Sequence, residues 1–331
     1  MHSRTIFGCL WLMLTVAAPL GLTGCTTNPT TGRSQLAVMS REEEIKLGTD
    51  AKPELTQEFG GKVNSPELQA YVTEVGSRLA AVTEDANPSL PWEFTLLDSP
   101  VINAFALPGG KVFLSRGLAD KMTNEAQLAA VLGHEVGHVT ARHTNDRMVQ
   151  QAVLVGGGSI LGSIADAVLG TGSAGSQAGQ SIGNIAALSY SRDQEIEADR
   201  LGMRYMEKLK YDPMGAVEVQ EILKREAESA GGRPPEILST HPASATRIAE
   251  LMKRFEKYYS HTVNNPEYQK HPDRYEQRYL SIARRLPPPP APKSMLPRDG
   301  NPRDSALASL MLADPGVWCA HCRSANPPGS E

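Results

Sequence analysis

Apolar residues recur every three or four positions along much of the chain, which is the pattern of helices with one buried face. One such helix begins after Ser65-Pro66, since serine can cap a helix and proline suits its first turn. Its apolar positions are Leu68, Val72, Val75 and Leu79. Further helices are predicted over about 190–210, 213–229 and 242–258.

Three short runs before residue 115 have the composition of strands. They are Trp92–Leu97, Val101–Leu107 and Lys111–Leu114, and the last two flank the turn residues Pro108-Gly109-Gly110. One small sheet among many helices predicts an α+β fold that is predominantly helical.

One predicted helix carries ionisable residues within its apolar pattern. It begins at Asn124, which with Gln127 has the spacing of a capping box, and its apolar positions are Leu128, Val131, Leu132, Val136 and Val139. His134 and His138 lie four residues apart and therefore share one face. Two such imidazoles can bind one zinc ion, and Glu135 beside them can accept a proton from a zinc-bound water. The alternative is an ordinary polar helix face.

A catalytic zinc usually has three protein ligands, so a third must come from another element. The best candidate is Glu195, in a charged helical stretch that stops before Asp212-Pro213. Asp199 follows four residues later and faces the same way, so one carboxylate can bind the metal while the other orients a ligand histidine. Spacing alone favours a solvated acidic face paired with Arg192 and Arg200.

Several motifs occur in an order that matches a known family. They are Asn28-Pro29-Thr30-Thr31-Gly32-Arg33, Asn103-Ala104-Phe105-Ala106-Leu107-Pro108-Gly109-Gly110, H-E-x-x-H at 134–138, Y-S-R-x-x-E-x-E-A-D at 190–199 and S-T-H-P-x-x-x-x-R-I at 239–248. Together they resemble the HtpX and CAAX prenyl endopeptidase family of membrane-associated zinc metallopeptidases, and within it the bacterial lipoprotein branch. The likeness runs from about residue 28 to about residue 258.

The resemblance implies a zincin-like metallopeptidase fold, with a small sheet beside the active-site helix and one zinc ion per chain. It implies that His134, His138 and Glu195 bind zinc and that Glu135 is the general base. Asp199 would be the carboxylate that fixes the tautomer of a ligand histidine.

The resemblance also implies roles for three further places. His241 would be a fourth, inhibitory ligand that occupies the water position in a resting state, and Arg247 would stabilise the oxyanion. An edge strand would hold an extended peptide across the metal, and its residues are Asn103, Ala104, Phe105 and Ala106. From the residues alone, His241 is a helix flank and Arg247 a surface charge, and the alternative for the strand is a plain structural hairpin.

The N-terminus has the pattern of an export signal. Arg4 precedes an apolar run from Ile6 to Leu22, which is too short for a spanning helix but suits a secretory signal. Leu22-Thr23-Gly24-Cys25 fits the bacterial lipobox, so residues 1–24 are predicted as a signal peptide and Cys25 as the lipidated residue. An uncleaved anchor is the alternative. Thr26, which is not aspartate, favours the outer membrane, with the protein facing the periplasm.

The composition of the rest of the chain predicts several segments of different kinds. Residues 25–40 are predicted as a lipidated N-terminus and spacer, and residues 41–259 as the metallopeptidase domain. Residues 152–185, rich in glycine, are predicted as a flap over the cleft. Residues 260–331 are predicted as a polar, then Pro-rich, largely disordered tail. Within it, the alternatives for Cys319 and Cys322 are a local disulfide or a reactive tail, and the sequence supports no role for them.

These features predict a zinc-dependent endopeptidase of the cell envelope. Its substrates would be extended or misfolded envelope proteins, and the outer-membrane assembly machinery is an expected partner; both rest on the resemblance. The 33 basic and 37 acidic residues give a formal charge of −4, which offers no basic surface for nucleic acid. The alternative is a chaperone or assembly scaffold with a self-inhibited peptidase site and a chiefly structural zinc.

Overall fold

The computed structural model describes residues 25–37, 39–84, 90–154, 189–229, 235–242 and 245–290. The described part is predominantly helical with two small sheets, so the predicted α+β class is confirmed. The predicted signal peptide, most of the Gly-rich segment and the Pro-rich end of the chain lie outside the described residues. Within the described ranges, no helix combines the length and the hydropathy needed to cross a bilayer.

The helices in the first half of the chain are α1 (Arg41–Glu58), α2 (Pro66–Ala81), α3 (Arg116–Ala119), α4 (Glu125–Thr140) and α5 (His143–Leu154). Those in the second half are α6 (Arg192–Lys208), α7 (Met214–Ser229), α8 (Ile237–Thr240), α9 (Ala245–Arg254), α10 (Pro272–Tyr275) and α11 (Ser281–Ala283). A π turn continues α9 over Phe255–Tyr259, and another joins α10 to α11 over Glu276–Leu280. The predicted helix starts at Ser65 and Asn124 agree with the observed caps, in which each side chain accepts a backbone N–H.

The strands form two separate sheets. In the first, β1 (Cys25–Thr27) pairs antiparallel with β2 (Ser34–Leu36). In the second, β5 (Lys111–Ser115) is central, with β3 (Glu93–Leu97) parallel on one side and β4 (Ala104–Leu107) antiparallel on the other. The strand β4 is therefore an edge strand of the three-stranded sheet.

The helix α4 is the centre of the fold, since all 16 of its residues are buried. It packs against α2, α6, α7 and the three-stranded sheet. Glycines allow the closest of these approaches: a Cβ added at Gly133 would lie 3.3 Å from the Cα of Gly202, and one added at Gly202 would lie 3.0 Å from the backbone N of His134. The backbones of α4 and α6 therefore meet with no side chain between them at this point.

Residues 25–36 do not form the predicted spacer. They fold as a hairpin against the C-terminal end of α4, where the Asn28 Nδ2 donates to the carbonyl of Thr140 (2.9 Å). The Gln35 Nε2 donates to the carbonyl of Ala141 (2.7 Å). The prediction failed because a Thr- and Asn-rich segment has no apolar pattern, and these side chains instead satisfy the free carbonyls of a helix end.

The predicted domain boundary at residue 259 is also wrong. Tyr275 and Tyr279 are buried in the main hydrophobic core, and the Tyr275 hydroxyl donates to the carbonyl of Ala119 (2.7 Å). Arg274 forms a two-point ion pair with the buried Glu125 at the start of α4. The segment has a polar composition, but its tyrosines supply the apolar surface that a core needs. The folded body therefore extends beyond residue 259 to α11, whose Ala283 still lies in the core.

We expect Tyr279→Ala to lower the free energy of unfolding by about 3 kcal/mol, because it removes a fully buried ring from the core. The matched control is Tyr258→Ala, since the Tyr258 ring is 52% exposed and its loss should cost within about 0.5 kcal/mol. Chemical denaturation of both variants measures the difference. Equal unfolding midpoints would show that the segment after residue 259 does not belong to the core.

Candidate metal centre

Four buried side chains from three parts of the fold meet at one point. His134 and His138 come from α4, Glu195 from the first turn of α6, and His241 from the residue that ends α8. Each offers one ligand atom, and these atoms all lie within 4.8 Å of one another. The structure thus brings together the four residues that the family resemblance implied as metal ligands.

The spacing of the ligand atoms is close to that of a tetrahedral site. The Nε2 atoms of His134 and His138 are 2.9 Å apart, and the His134 Nε2 lies 3.3 Å from the His241 Nδ1. The Glu195 Oε1 lies 3.2 Å from the His138 Nε2 and 2.9 Å from the His241 Nδ1. Zinc bonds of about 2 Å in a tetrahedron separate neighbouring ligand atoms by roughly 3.3 Å.

The chemistry of the donor atoms fits a metal ion. The Asp199 carboxylate can only accept, so the His134 Nδ1 donates to its Oδ1 (2.9 Å). The His138 Nδ1 has its own partner in the His143 Nδ1 (2.8 Å). With hydrogens on both Nδ1 atoms, the two Nε2 lone pairs face each other, and either a metal cation or a proton between them removes that repulsion.

Charges around the cluster favour an ionised carboxylate beside the histidines. Burial opposes the charge of Glu195, but His241, Arg247 and His134 together hold its pKa well below the usual range. Burial would lower the pKa of His134, yet Glu195 and the hydrogen bond to Asp199 raise it to about 9. Burial and the charge on His134 lower the pKa of His138. The metal-free site therefore holds its proton on His134.

Glu135 projects from α4 beside these ligands. Its Oε2 has no hydrogen-bond partner within the described part of the chain, and neither has the His241 Nε2, which lies 3.7 Å from the Glu135 Oε1. Burial raises the pKa of Glu135, although His241 and His134 oppose the shift. A small cavity of about 30 Å³ borders Glu135, His134, His241 and Arg247, which is room for a water molecule.

Arg247 does not lie at the surface, as its residue type alone would suggest. It is buried and donates to both oxygens of Asp199, at 2.6 and 2.7 Å, and its Nη1 lies 2.5 Å from the Glu195 Oε2. The guanidinium thus pairs with both carboxylates that face the histidines and offsets one of their two negative charges. It also borders the small cavity, and its oxyanion role stays a prediction.

The predicted substrate strand lies beside the site. Ala104, Phe105 and Ala106 belong to the edge strand β4, which contacts α4, and Asn103 directly precedes it. All four residues are buried. The Ile237 N–H at the start of α8 donates to the carbonyl of Ile102 (3.2 Å), so the segment that carries His241 also lies against the beginning of this edge.

Sequence reasoning missed three residues around His138. The Tyr190 ring stacks on the His138 ring with centroids 3.9 Å apart. The buried His143 contacts the His138 Nδ1 on one side and the Glu197 Oε2 (3.2 Å) on the other, and burial lowers the pKa of His143. Tyr190 and Glu197 belong to the motif Y-S-R-x-x-E-x-E-A-D at 190–199, which marked them as residues of interest. Nothing in the sequence linked them to His138.

The helical fold with its small sheet, together with the buried cluster of histidines and carboxylates, defines a metallopeptidase domain. Residues 66–255 match the family described as Peptidase family M48, which is more than half of the chain. The chain belongs to this family, so the resemblance drawn from the motifs is confirmed.

Curated relatives share this region. The "Beta-barrel assembly-enhancing protease" of Escherichia coli (strain K12) is 33% identical over 225 residues, which cover 66% of this chain and 45% of that protein. The protein of the same name from Yersinia pestis is 35% identical over 192 residues, covering 56% and 38%. The "Mitochondrial metalloendopeptidase OMA1" of Schizosaccharomyces pombe is 32% identical over 195 residues, covering 58% and 56%. The matches thus span less than half of the two bacterial relatives.

We expect the apparent zinc affinity of the purified protein to rise with pH. Because the pKa of His134 is raised to about 9, zinc must displace a proton at any lower pH. Affinity should therefore increase roughly tenfold per pH unit from about pH 6.5 to 8.5 and level off above that range. Competition with a chelator of known proton affinity measures this slope, and an affinity independent of pH would contradict it.

Proposed function

We propose that this protein is a zinc-dependent endopeptidase of the cell envelope, which hydrolyses peptide bonds in extended or misassembled envelope proteins. The observation that carries the proposal is the Glu135 carboxylate, which lies buried beside the ligand cluster with one oxygen unpartnered among the described residues. A structural zinc site needs four strong ligands and no base. A free carboxylate oxygen at this position is what hydrolysis requires.

Each residue of the site has a separate role in the proposed peptide hydrolysis. Zinc, when bound to His134, His138 and Glu195, supplies a Lewis acid and lowers the pKa of water. Glu135 takes the proton of the attacking water at its carboxylate and passes it to the leaving amine. In the metal-free site, burial raises the pKa of Glu135, which favours its acceptance of a proton. Asp199, held by Arg247, keeps the His134 Nε2 directed at the metal.

His241 gives the site a closed resting state. Its Nδ1 lies among the ligand atoms of His134 and Glu195, where a fourth ligand would exclude the attacking water. Activation then requires that the short segment around α8 move away from the metal. The same movement would separate Ile237 from Ile102, at the beginning of the strand proposed to bind substrate.

The proposed substrates are proteins with extended or unpaired strands. The edge strand β4 can pair with an extended peptide through backbone hydrogen bonds, which do not depend on the side chains of the substrate. The name of the Escherichia coli relative associates that protein with β-barrel assembly. We therefore infer β-rich envelope proteins as substrates and the outer-membrane assembly machinery as a partner.

The proposed location is the outer membrane, facing the periplasm, with a lipid anchor at Cys25. The apolar run and Leu22-Thr23-Gly24-Cys25 support this location. The backbone of Cys25 already pairs with Leu36 in the folded hairpin, so the anchor would hold the peptidase domain close to the membrane.

A chaperone or assembly scaffold is the second candidate. The observation in its favour is the filled fourth ligand position, because four protein ligands are typical of structural zinc. In that case His241 would keep the site closed permanently. The unpartnered oxygen of Glu135 argues against it.

Cleavage of an unfolded β-rich envelope protein distinguishes the two candidates. We expect His241→Ala to cleave at least about tenfold faster than the parent protein, because the fourth ligand is gone. Glu135→Gln should lose at least a hundredfold in rate while retaining zinc, since the base contributes roughly that factor. The combined His241→Ala, Glu135→Gln variant is the matched control. No cleavage by any variant, with zinc bound stoichiometrically, would favour the scaffold.

We expect Cys25→Ser to move the protein from the membrane fraction to the soluble periplasmic fraction, because the thiol that carries the lipid is lost. Fractionation and mass spectrometry of the parent and the variant measure this change. Recovery of the variant in the membrane, still lipid-modified, would exclude Cys25 as the anchor.

A further inference from the structure

Residues 25–36, here called the N-terminal hairpin, hold the end of the metal-binding helix. Its turn is shaped by Asn28, whose Oδ1 accepts the N–H groups of Thr30 (2.8 Å) and Thr31 (3.1 Å). Gly32 completes the turn at a φ of 70°, a backbone conformation that glycine adopts without strain. This turn directs the next residue, Arg33, away from the hairpin and toward α6.

Arg33 begins a chain of contacts that ends at a proposed metal ligand. The Arg33 Nη2 donates to the Glu197 Oε2 (2.6 Å). The same oxygen lies 3.2 Å from the His143 Nε2, and the His143 Nδ1 lies 2.8 Å from the His138 Nδ1. Three side chains therefore connect the hairpin to His138.

The donors and acceptors in this series of contacts can be assigned in only one way. An ionised carboxylate accepts, so the His143 Nε2 must donate to Glu197. A neutral imidazole has one N–H, which leaves the His143 Nδ1 as an acceptor. The His138 Nδ1 must then donate to it. The remaining nitrogen of His138, Nε2, is left with a lone pair directed at His134 and Glu195.

We propose that Arg33, Glu197 and His143 are positioning residues, which fix the tautomer and ring orientation of His138 for metal binding. The proposal rests on the metal site described above. It gives a role to the Asn28–Arg33 motif, which the peptidase mechanism does not otherwise use. It also makes metal affinity depend on the docking of the N-terminal hairpin, which lies more than a hundred residues before His138 in the sequence.

Two further observations fit this role. His143 is buried on α5, and both of its ring nitrogens have side-chain partners, so no water is needed to complete its hydrogen bonds. Tyr190 stacks on the His138 ring, so that the ring is held by contacts with its face as well as its edge. Partners that orient a ligand histidine typically contribute 10- to 100-fold to metal affinity.

Glu197 provides an internal control for the experiment. Its Oε2 accepts from Arg33, whereas its Oε1 lies 3.1 Å from the Arg200 Nη2. The two arginine side chains are comparably exposed, at 46% and 34%. Arg33→Gln and Arg200→Gln therefore remove similar ion pairs from the same carboxylate, but only the first acts on the oxygen that His143 uses.

The test is the zinc dissociation constant of the full chain, measured by chelator competition for the parent, Arg33→Gln, Arg200→Gln, Glu197→Gln, His143→Leu and His143→Gln. We expect about 10- to 100-fold weaker binding for His143→Leu. A several-fold loss is expected for Arg33→Gln and for Glu197→Gln, because the carboxamide oxygen of Gln can still accept from His143 but carries no charge. Arg200→Gln should stay within about twofold of the parent. His143→Gln should restore most of the affinity, because its carboxamide can accept from His138 and donate to Glu197.

A second readout separates positioning from general stability. Nitrogen NMR of His138 in the zinc-loaded parent should show a protonated Nδ1 and a metal-bound Nε2, and thermal unfolding in excess chelator should rank the variants differently from their zinc affinities. Unchanged affinity in folded His143→Leu and Glu197→Gln would overturn the positioning role while the metal site stands. Absence of zinc binding by the parent would instead overturn the metal site, and the positioning role with it. The affinities test the positioning role whether or not the protein cleaves peptides.

Discussion

The metal cluster depends on how closely α4 approaches α6. His134 and His138 lie on α4 and the carboxylates of Glu195 and Asp199 on α6, and these side chains cannot reach across an ordinary interhelical distance. Gly133, Gly137 and Gly202 have no side chains that would keep the two backbones apart, and a Cβ added at Gly137 would lie 3.0 Å from the carbonyl oxygen of Ala198. An added Cβ at any of these glycines would lie only 3.0 to 3.3 Å from the facing backbone, so the neighbouring helix would have to give way by a few tenths of an ångström. Close packing is thus the physical condition for the chemistry.

Two buried carboxylates can stay ionised at this point only if positively charged groups lie beside them. Glu195 and Asp199 are both buried, and burial alone would raise the pKa of each. Arg247 contacts both of them, and His134 carries the proton of the metal-free site. Removing one member of such a group leaves another charge buried without compensation, which is strongly destabilising. The same arrangement keeps Glu195 ionised and ready to bind a cation.

The helix α4 is braced at both ends by segments distant in sequence. At its C-terminal end, amides of the N-terminal hairpin donate to the last carbonyls. At its N-terminal end, Glu125 accepts from the hydroxyls of Tyr71 (2.7 Å) and Tyr211 (2.5 Å) and pairs with Arg274. Both are polar networks at the ends of a helix that is otherwise mostly apolar apart from the residues of the metal site. They hold the helix in position along its axis. Segments near both ends of the described chain therefore help to place the histidines.

The sequence by itself determined the local features of this protein. Helix starts at Ser65 and Asn124, the strands around Pro108, the fold class and the paired histidines of H-E-x-x-H follow from short-range pattern and capping chemistry. The roles of Glu195 and His241 came from the resemblance of their motifs to a known family. Only the tertiary structure decided that residues 25–36 and 260–286 belong to the folded body, because polar side chains and tyrosines find their partners far away in sequence. It alone decided which nitrogen of His241 faces the cluster and which residues surround His138, since these depend on how separate helices pack.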